Sequence, residues 1–232
     1  MARDTSFGEV RKFEDFLVTA IADLAEIDIL SNDGGTAEVV ADANDGRLRI
    51  TLDGDNGDDV AAVTFGDPNW TAGQSSLKME ARIFIDDVTD YKLFIGFGDT
   101  IASGDETSFS ATSDNVTMGA MSDAIGVAYD GDSTTAQLWA VAGAGDSVTV
   151  DKGLGTDTVP EAATPMTIGC WLSTDRKSAV FYVNGKEMYT INNSSVLVDA
   201  SALVPGVWAY DQGTATNIDV DYIYASKGRS ST

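Results

Sequence analysis

Short runs of alternating apolar and polar residues dominate this chain. Each run places one apolar set on a single side: Leu77, Met79, Ala81, Ile83 and Ile85 in LKMEARIFID; Leu48, Ile50 and Leu52 in RLRITL; Ala179, Phe181 and Val183 in SAVFYVNG; Ile218, Val220, Tyr222 and Tyr224 in NIDVDYIYA. Alternation with a period of two predicts β-strands with one buried face.

Clusters of glycine and acidic residues, such as DANDG, DGDNGDD and AGAGDS, separate these runs. Many short strands joined by such turns, without a matching series of helices, predict an all-β fold, a jelly-roll β-sandwich of two antiparallel sheets. The pair Asn184-Gly185 lies between two alternating runs and predicts a two-residue hairpin turn of type I′.

One segment near the start departs from this pattern. In KFEDFLVTAIADLAEI the apolar residues follow helical spacing, which fits a helix or a strand followed by a helical turn. We therefore divide the chain into an N-terminal arm over residues 1–33, a jelly roll over 34–225 and a basic tail over 226–232.

The composition excludes several classes of function. The net charge of −23 opposes binding to nucleic acid or to an anionic membrane surface. The sequence has no histidine, which excludes Ser-His-Asp and Cys-His catalysis and histidine-bearing zinc sites. The lone cysteine, Cys170, lies in the apolar run IGCWL, and we expect it to be buried.

Membrane insertion and export are not indicated either. No apolar run approaches the roughly 20 residues that a membrane-spanning helix needs. The polar start MARDTSFGEVRKF lacks the apolar segment of a signal peptide, so we expect no classical secretion.

The stretch EIDIL is similar to a glycosidase motif, in which acids share one face of a strand. Glu26 and Asp28 could be the first two acids, but Leu30 and Ser31 stand where the last acid is needed. We expect no enzymatic activity, and a polysaccharide hydrolase or lyase using Glu26 and Asp28 is kept as an alternative.

The acidic turn DGDNGDD raises the question of calcium. It does not match an EF-hand loop, because Gly57 and Asp58 occupy the fifth and sixth positions when counted from Asp53. Two interpretations stay open, a solvated acidic turn and a looser calcium site formed by Asp53, Asp55, Asp58 and Asp59.

The four tryptophans divide into two groups. Trp139, Trp171 and Trp208 lie in apolar runs and are predicted to be in the core. Trp70 lies in the loop-like stretch GDPNWTAG and is the candidate for stacking on a sugar, if the protein binds carbohydrate.

Basic residues occur at both ends of this acidic chain: Arg3, Arg11, Lys12, Lys227 and Arg229. They fit either two solvated tails or anchors that dock on an acidic neighbour.

The order of elements resembles the concanavalin A-like and laminin-G-like jelly rolls of tailed-phage structural proteins, over residues 13–229. The likeness rests on GGTAEVVADANDGRLRITLDGDNGDDVAAVTFGDPNW, on the hairpin DRKSAVFYVNGKEMYTI and on the closing NIDVDYIYASKGR. It implies a non-enzymatic virion component without a cofactor: a capsid decoration or cement protein, made in the host cytoplasm and bound to the major capsid protein, favoured as a homotrimer. The alternative is a carbohydrate-binding module of a tail fibre or a bacterial surface protein.

Overall fold

The computed structural model describes residues 3–5, 9–32, 34–40, 46–55, 59–66, 69–99, 109–112, 115–119, 121–145, 147–192, 194–197 and 201–228. Strands dominate these residues, with single turns of 3₁₀ helix at Ile21–Asp23 and Thr156–Thr158. The strands, in chain order, are β1 (Arg3–Thr5), β2 (Glu9–Glu14), β3 (Asp28–Asn32), β4 (Thr36–Val39), β5 (Leu48–Leu52), β6 (Val60–Thr64), β7 (Trp70–Thr71), β8 (Leu77–Ile85), β9 (Tyr91–Gly98), β10 (Phe109–Thr112), β11 (Asn115–Met118), β12 (Ala124–Asp130), β13 (Trp139–Ala144), β14 (Ser147–Gly153), β15 (Met166–Leu172), β16 (Ala179–Val183), β17 (Lys186–Ile191), β18 (Ala202–Asp211) and β19 (Thr216–Gly228).

Two antiparallel sheets contain most of these strands. Sheet 1 has the order β1-β2-β19-β8-β15-β16-β17, and β5 and β4 extend it beside the first half of β19. Sheet 2 has the order β14-β13-β12-β9-β18-β6-β3, with β7 paired to β18. The sequence prediction of an all-β sandwich of two antiparallel sheets is therefore confirmed.

The main core lies between the two sheets and follows the predicted alternation. Leu48, Ile50 and Leu52 of β5 are fully buried, and the inward residues of β8 and β16 are buried as well. Each strand contributes every second residue to this core because successive side chains of a strand point to opposite faces. Cys170 lies there too, as expected, and burial raises the pKa of its thiol to about 12.

A β-bulge in β19 changes which of its residues face inward. Val220 pairs with Ile83, but the next pair along is Tyr222 with Arg82, so Asp221 is the extra residue. An extra residue reverses the alternation beyond it. The sequence prediction that Tyr222 and Tyr224 face the core is therefore wrong: Ile223 and Ala225 point inward in their place.

The N-terminal segment forms a strand followed by a helical turn, which is the second of the two alternatives. β2 ends at Glu14, and the helical part is limited to Ile21–Asp23. β2 pairs with β19 and β3 pairs with β6, so residues 9–14 and 28–32 are strands of the sandwich rather than a separate arm. Residues 226–228, predicted to begin the tail, form the end of β19.

The hairpin between β16 and β17 has the predicted turn. Asn184 and Gly185 both have positive φ, at 50° and 72°. Type I′ turns need positive φ at both central positions, and the Asn-Gly pair is suited to them.

The outer face of sheet 2 carries a second apolar cluster beneath the hairpin of β10 and β11. The ring of Phe94 lies 5.3 Å from Phe109 of the hairpin and 5.4 Å from Trp208, measured between centroids. The buried carboxylate of Asp130 accepts a hydrogen bond from the backbone N–H of Ala111. Trp139 and Trp208 belong to this cluster, so both are buried as predicted, although outside the main core.

Candidate binding face on the outer side of sheet 1

Half-exposed aromatic side chains gather on the outer face of sheet 1. The strand register places Tyr224, Glu80, Gly169 and Tyr182 side by side on β19, β8, β15 and β16. Trp171 lies two residues beyond Gly169 on the same face of β15. Residues side by side on one face of neighbouring strands are close enough for their side chains to act together.

A groove of about 600 Å³ opens between these side chains. Gly169 lines it without a side chain, and a Cβ atom added there would lie 2.7 Å from the Met79 carbonyl oxygen. A site of this size with aromatic walls and a few polar groups is within the range of small-ligand pockets. The lining residues are Lys78, Met79, Glu80, Gly169, Cys170, Trp171, Val180, Tyr182 and Tyr224.

Tyr222 and Phe13 extend the aromatic surface toward the edge of the sheet. The Phe13 side chain is 50% exposed, and its ring lies 5.7 Å from that of Tyr222. The Tyr222 hydroxyl donates a hydrogen bond of 2.6 Å to Glu80 Oε1. Burial, and then this hydrogen bond to a carboxylate, raise the pKa of Tyr222 to about 12.

Arginine–aspartate pairs occupy the same face next to the groove. Arg49 donates two hydrogen bonds to Asp219, at 2.7 and 3.0 Å, and Arg82 donates one to Asp221 at 2.9 Å. Asp219 and Asp221 are buried, and these arginines are their partners. The two-point contact with Asp219 is the strong form of this interaction.

Arg47 lies next to Arg49 and Asp219 on the same face. Its guanidinium lies 3.9 Å from the centroid of the Phe84 ring, within the range of a cation–π interaction. Arg47 also approaches Asp219 at 3.8 Å. A second, smaller cavity of about 330 Å³ lies between these residues.

Side chains of both charges lie on this face. The register places Arg11, Arg49, Lys78 and Arg82 on the outer side of sheet 1, and Arg47 joins them over Phe84. Carboxylates lie beside them: Glu9, Glu38, Glu80, Asp219 and Asp221. The whole chain carries a net charge of −23. The outer face of sheet 1 therefore combines aromatic and arginine side chains within a strongly acidic protein.

Trp70, the candidate for sugar stacking, lies in the core. Its side chain is 0% exposed, its ring packs 6.0 Å from Phe97, and the Lys227 ammonium lies 5.2 Å from its centroid. A sugar cannot stack on a ring with no exposed surface, so the expectation of an exposed Trp70 is wrong. Trp171 was predicted to be buried and instead lines the groove on the surface.

Three of the basic residues of the two ends lie close together. Arg11 pairs with Ser226, Lys12 with Ala225 and Lys227 with Val10 along β2 and β19. The backbone of Arg3 pairs with that of Arg11, and Arg229 lies outside the described residues.

Intramolecular contacts hold the side chains of Arg11, Lys12 and Lys227. Arg11 lies 2.6 Å from Glu9, Lys12 lies 4.0 Å from Glu26, and Lys227 donates to the Asn69 carbonyl oxygen at 2.9 Å. Burial, and then the nearby charge of Lys12, lower the pKa of Lys227.

Glu26 and Asp28 do not form the strand-face pair of a glycosidase. Glu26 lies in the turn before β3 and faces Lys12, whereas Asp28 is the first residue of β3. Leu30, two residues after Asp28, packs against the apolar cluster on the outer side of sheet 2.

Three aspartates of the acidic turn converge. One oxygen each of Asp53, Asp55 and Asp59 lie within 4.8 Å of one another, so these carboxylates could hold a cation; Asp58 lies outside the described residues. The buried Asp59 already accepts three backbone N–H bonds, from Gly34, Asp53 and Gly54. Burial, and then the adjacent Asp53 carboxyl, raise the pKa of Asp59.

Sequence reasoning missed most of the groove. One signal was available: in TIGCWLS the alternation that buries Ile168, Cys170 and Leu172 points Trp171 outward. The outward placement of Tyr222 and Tyr224 depends on the bulge, which the alternating pattern of β19 does not reveal.

Comparison with known proteins identifies the fold. No protein-family model matches the sequence, and no curated protein sequence matches it either. Within the described residues, no helix has the length and apolar character needed to cross a bilayer.

Solved structures do match. A protein of unknown function from Shewanella oneidensis MR-1 aligns with a TM-score of 0.67 at 13% identity, over 100% of this chain and 92% of that one. The carbohydrate recognition domain of Emp47p aligns with a TM-score of 0.60 at 12% identity, over 97% and 96%. A mutant of the alginate lyase Aly36B aligns with a TM-score of 0.59 at 12% identity, over 94% and 98%. The chain thus has a concanavalin-like β-sandwich fold.

Proposed function

We propose that this protein is a non-enzymatic structural protein that docks on a large protein assembly through the outer face of sheet 1. Following the resemblance over residues 13–229, the assembly is the head of a tailed phage and the partner is the major capsid protein. The observation that carries the docking proposal is the aromatic and arginine surface around Trp171, Tyr182, Tyr224 and Phe13.

The composition of this face suits a protein interface. Tyrosine, tryptophan and arginine are enriched in interfaces and dominate their binding energy, whereas most other contacts contribute little. The face belongs to a sheet whose strands are held by backbone pairing, and Arg49 and Arg82 are already oriented by their aspartates. Less side-chain freedom is then lost on docking, which favours affinity.

The acidic character of the rest of the molecule has a separate role. A net charge far from zero keeps abundant copies soluble and apart before assembly. We propose that the protein acts as a homotrimer on the virion surface, and that the basic residues of the two ends contribute secondary contacts: Arg3, Arg11, Lys12, Lys227 and Arg229.

Quantitative mass spectrometry of particles from the organism that encodes this chain tests the proposal. A copy number comparable with that of the shell subunit supports decoration, and absence from particles contradicts it. Rebinding to particles stripped of the protein then tests the face. We expect Trp171→Ala and Tyr224→Ala each to weaken rebinding by about tenfold or more.

Tyr210→Ala is the matched control for this experiment. Tyr210 is a half-buried tyrosine of β18 that lies in sheet 2, with the Lys92 ammonium 5.3 Å from its ring. Rebinding should be unchanged in this variant. Equal losses in Tyr210→Ala and Tyr224→Ala would contradict docking through sheet 1.

A second candidate function is carbohydrate recognition in the Gly169 groove. Its aromatic walls and polar groups could stack on and hydrogen-bond to a sugar, and the Emp47p domain of similar fold is a carbohydrate recognition domain. Binding on a glycan array that is lost in Trp171→Ala, together with normal particle rebinding by that variant, would favour this function over docking.

A further inference from the structure

The groove over Gly169 has the chemistry of a cation site. Its floor is backbone, since Gly169 has no side chain, and the Glu80 carboxylate stands on one side and the Tyr182 ring on the other. Trp171 lies along the same strand, and Tyr224 lies beyond Glu80. One carboxylate and three aromatic rings therefore surround an open position.

Aromatic rings attract cations through the negative potential of their faces, most strongly for tryptophan. The Glu80 carboxylate adds direct charge attraction, and the Tyr222 hydroxyl fixes one of its oxygens by a 2.6 Å hydrogen bond. The net charge of −23 steers positively charged groups toward the molecule at longer range.

Lys78 sets the position of the bound group within the groove. It pairs across the strands with Trp171, whereas Glu80 pairs with Gly169, so the two charges lie at different ends. A positive group is repelled from the Lys78 end and is favoured between Glu80 and Tyr182. We therefore expect Lys78 to weaken binding of a cation and Glu80 to strengthen it.

We propose that this groove receives an arginine or lysine side chain of the protein partner, held between the Glu80 carboxylate and the Tyr182 ring, with the Trp171 ring at the neighbouring end of the groove. The inference rests on the proposed docking function and specifies the chemistry of its central contact. The partner is thus expected to present a basic residue on a protruding loop, opposite the Gly169 groove.

The probe is Nα-acetyl-arginine methylamide, titrated into the full chain at low ionic strength, with the neutral isostere Nα-acetyl-citrulline methylamide as control. The readout is the indole N–H resonance of Trp171, assigned with Trp171→Phe. This tryptophan is half-exposed, whereas Trp70, Trp139 and Trp208 are buried. We expect saturable shifts with the arginine compound and none with the citrulline compound.

Two charge variants sharpen the test. Glu80→Gln should weaken binding of the arginine compound about three- to tenfold, and Lys78→Gln should tighten it about two- to fivefold. Circular dichroism and urea unfolding establish that both variants are folded. Equal shifts with the arginine and citrulline compounds, or no effect of either charge variant, would overturn the proposal.

Other outcomes separate this inference from the docking proposal. If the Trp171 resonance shifts with a methyl hexoside but not with the arginine compound, the groove recognises a sugar and the cation site is wrong. If Trp171→Ala loses particle rebinding while the arginine compound does not bind, docking through sheet 1 stands and the cation site is wrong. Normal rebinding by Trp171→Ala and Tyr224→Ala would contradict docking through the outer face of sheet 1.

Discussion

Tyr222 on β19 donates its hydroxyl hydrogen to the Glu80 carboxylate on the neighbouring strand β8, at 2.6 Å. The contact exists because the bulge at Asp221 turns Tyr222 to the outer face, where Glu80 also points. It links the edge of the aromatic surface at Phe13 to the Gly169 groove, and it has a measurable effect at alkaline pH.

Tyr222→Phe should reduce the loss of stability at alkaline pH. The Tyr222 pKa is about 12 in the folded protein against an ordinary value of 10.0, so unfolding releases a proton between these values. Stability conferred by this group is complete below pH 10 and is lost as the pH rises toward 12. Urea unfolding at pH 8, 10 and 11.5 should show a smaller decline in the variant. Parallel declines would show that Tyr222 does not titrate in this way.

The same variant also loses its hydrogen bond. At pH 8 the free energy of unfolding should fall by about 1 kcal/mol, the usual net contribution of such a bond. Tyr210→Phe on sheet 2 serves as the control for removing a tyrosine hydroxyl elsewhere.

Arg49→Met should destabilise the fold by about 1–2 kcal/mol, between the values for exposed and buried ion pairs. Asp219 is buried and loses its two-point partner, although Arg47 remains 3.8 Å away. A double-mutant cycle with Asp219→Asn isolates the pair interaction. Additive losses in that cycle would mean that the pair contributes no interaction energy of its own.

Asp53→Asn should stabilise the protein at neutral pH by about 0.5–1 kcal/mol, because it removes a like charge beside the buried Asp59. Since the Asp59 pKa is raised, its contribution to stability is largest at low pH and is lost as the pH rises above the ordinary value of 3.8. Urea unfolding at pH 4 and pH 7 checks both statements. A variant that is less stable at pH 7 would indicate that the Asp53 carboxylate is needed there, for example by a bound cation.

Gly185→Ala should cost about 1–2 kcal/mol, because a residue with a Cβ is strained at a φ of 72°. Nothing lies within 4 Å of the added carbon, so the cost is conformational rather than steric. Gly145 has a φ of 57°, and nothing lies within 4 Å of a Cβ atom added there either. Gly145→Ala should therefore lower the free energy of unfolding by a similar amount in the same assay. An unchanged midpoint in Gly185→Ala would mean that the turn relaxes to another type.

Truncation should distinguish the strand β2 from the residues before it. Removal of residues 1–12 takes away most of β2 and exposes the edge of β19, so the melting temperature should fall. Removal of residues 1–8 leaves the whole of β2 in place and should have a smaller effect. Equal effects of the two truncations would show that pairing of β2 with β19 contributes little.

Alternation and turn chemistry predicted the sandwich because both are local properties of a sequence. The inward sets of β5, β8 and β16 follow from a period of two, and the Asn184-Gly185 turn follows from backbone geometry. The N-terminal segment was ambiguous because its apolar residues fit helical spacing, while its pairing partner β19 lies about two hundred residues away.

The candidate site was less predictable because it depends on sheet order. Glu80, Gly169, Tyr182 and Tyr224 are distant in sequence, and only the order β19-β8-β15-β16 brings them together. The wrong predictions for Trp70 and Trp171 have a similar origin: Trp70 is buried and Trp171 is half-exposed, the reverse of what the sequence predicted. A loop-like composition does not reveal that Trp70 pairs with β18 and is covered by Lys227.

The pairing of β1, β2 and β19 has a further consequence for engineering. Arg3 pairs with Arg11, which pairs with Ser226, so Arg3 and Gly228 lie two strand spacings and two residues apart, about 12 Å. A short linker could join them, and new termini could be opened at another surface turn, which gives a circular permutant of the sandwich. Since β1 and β19 run in the same direction, the chain enters β1 and leaves β19 in opposite directions, so a fluorescent label fused before Arg3 and one fused after Gly228 would present the molecule in different orientations.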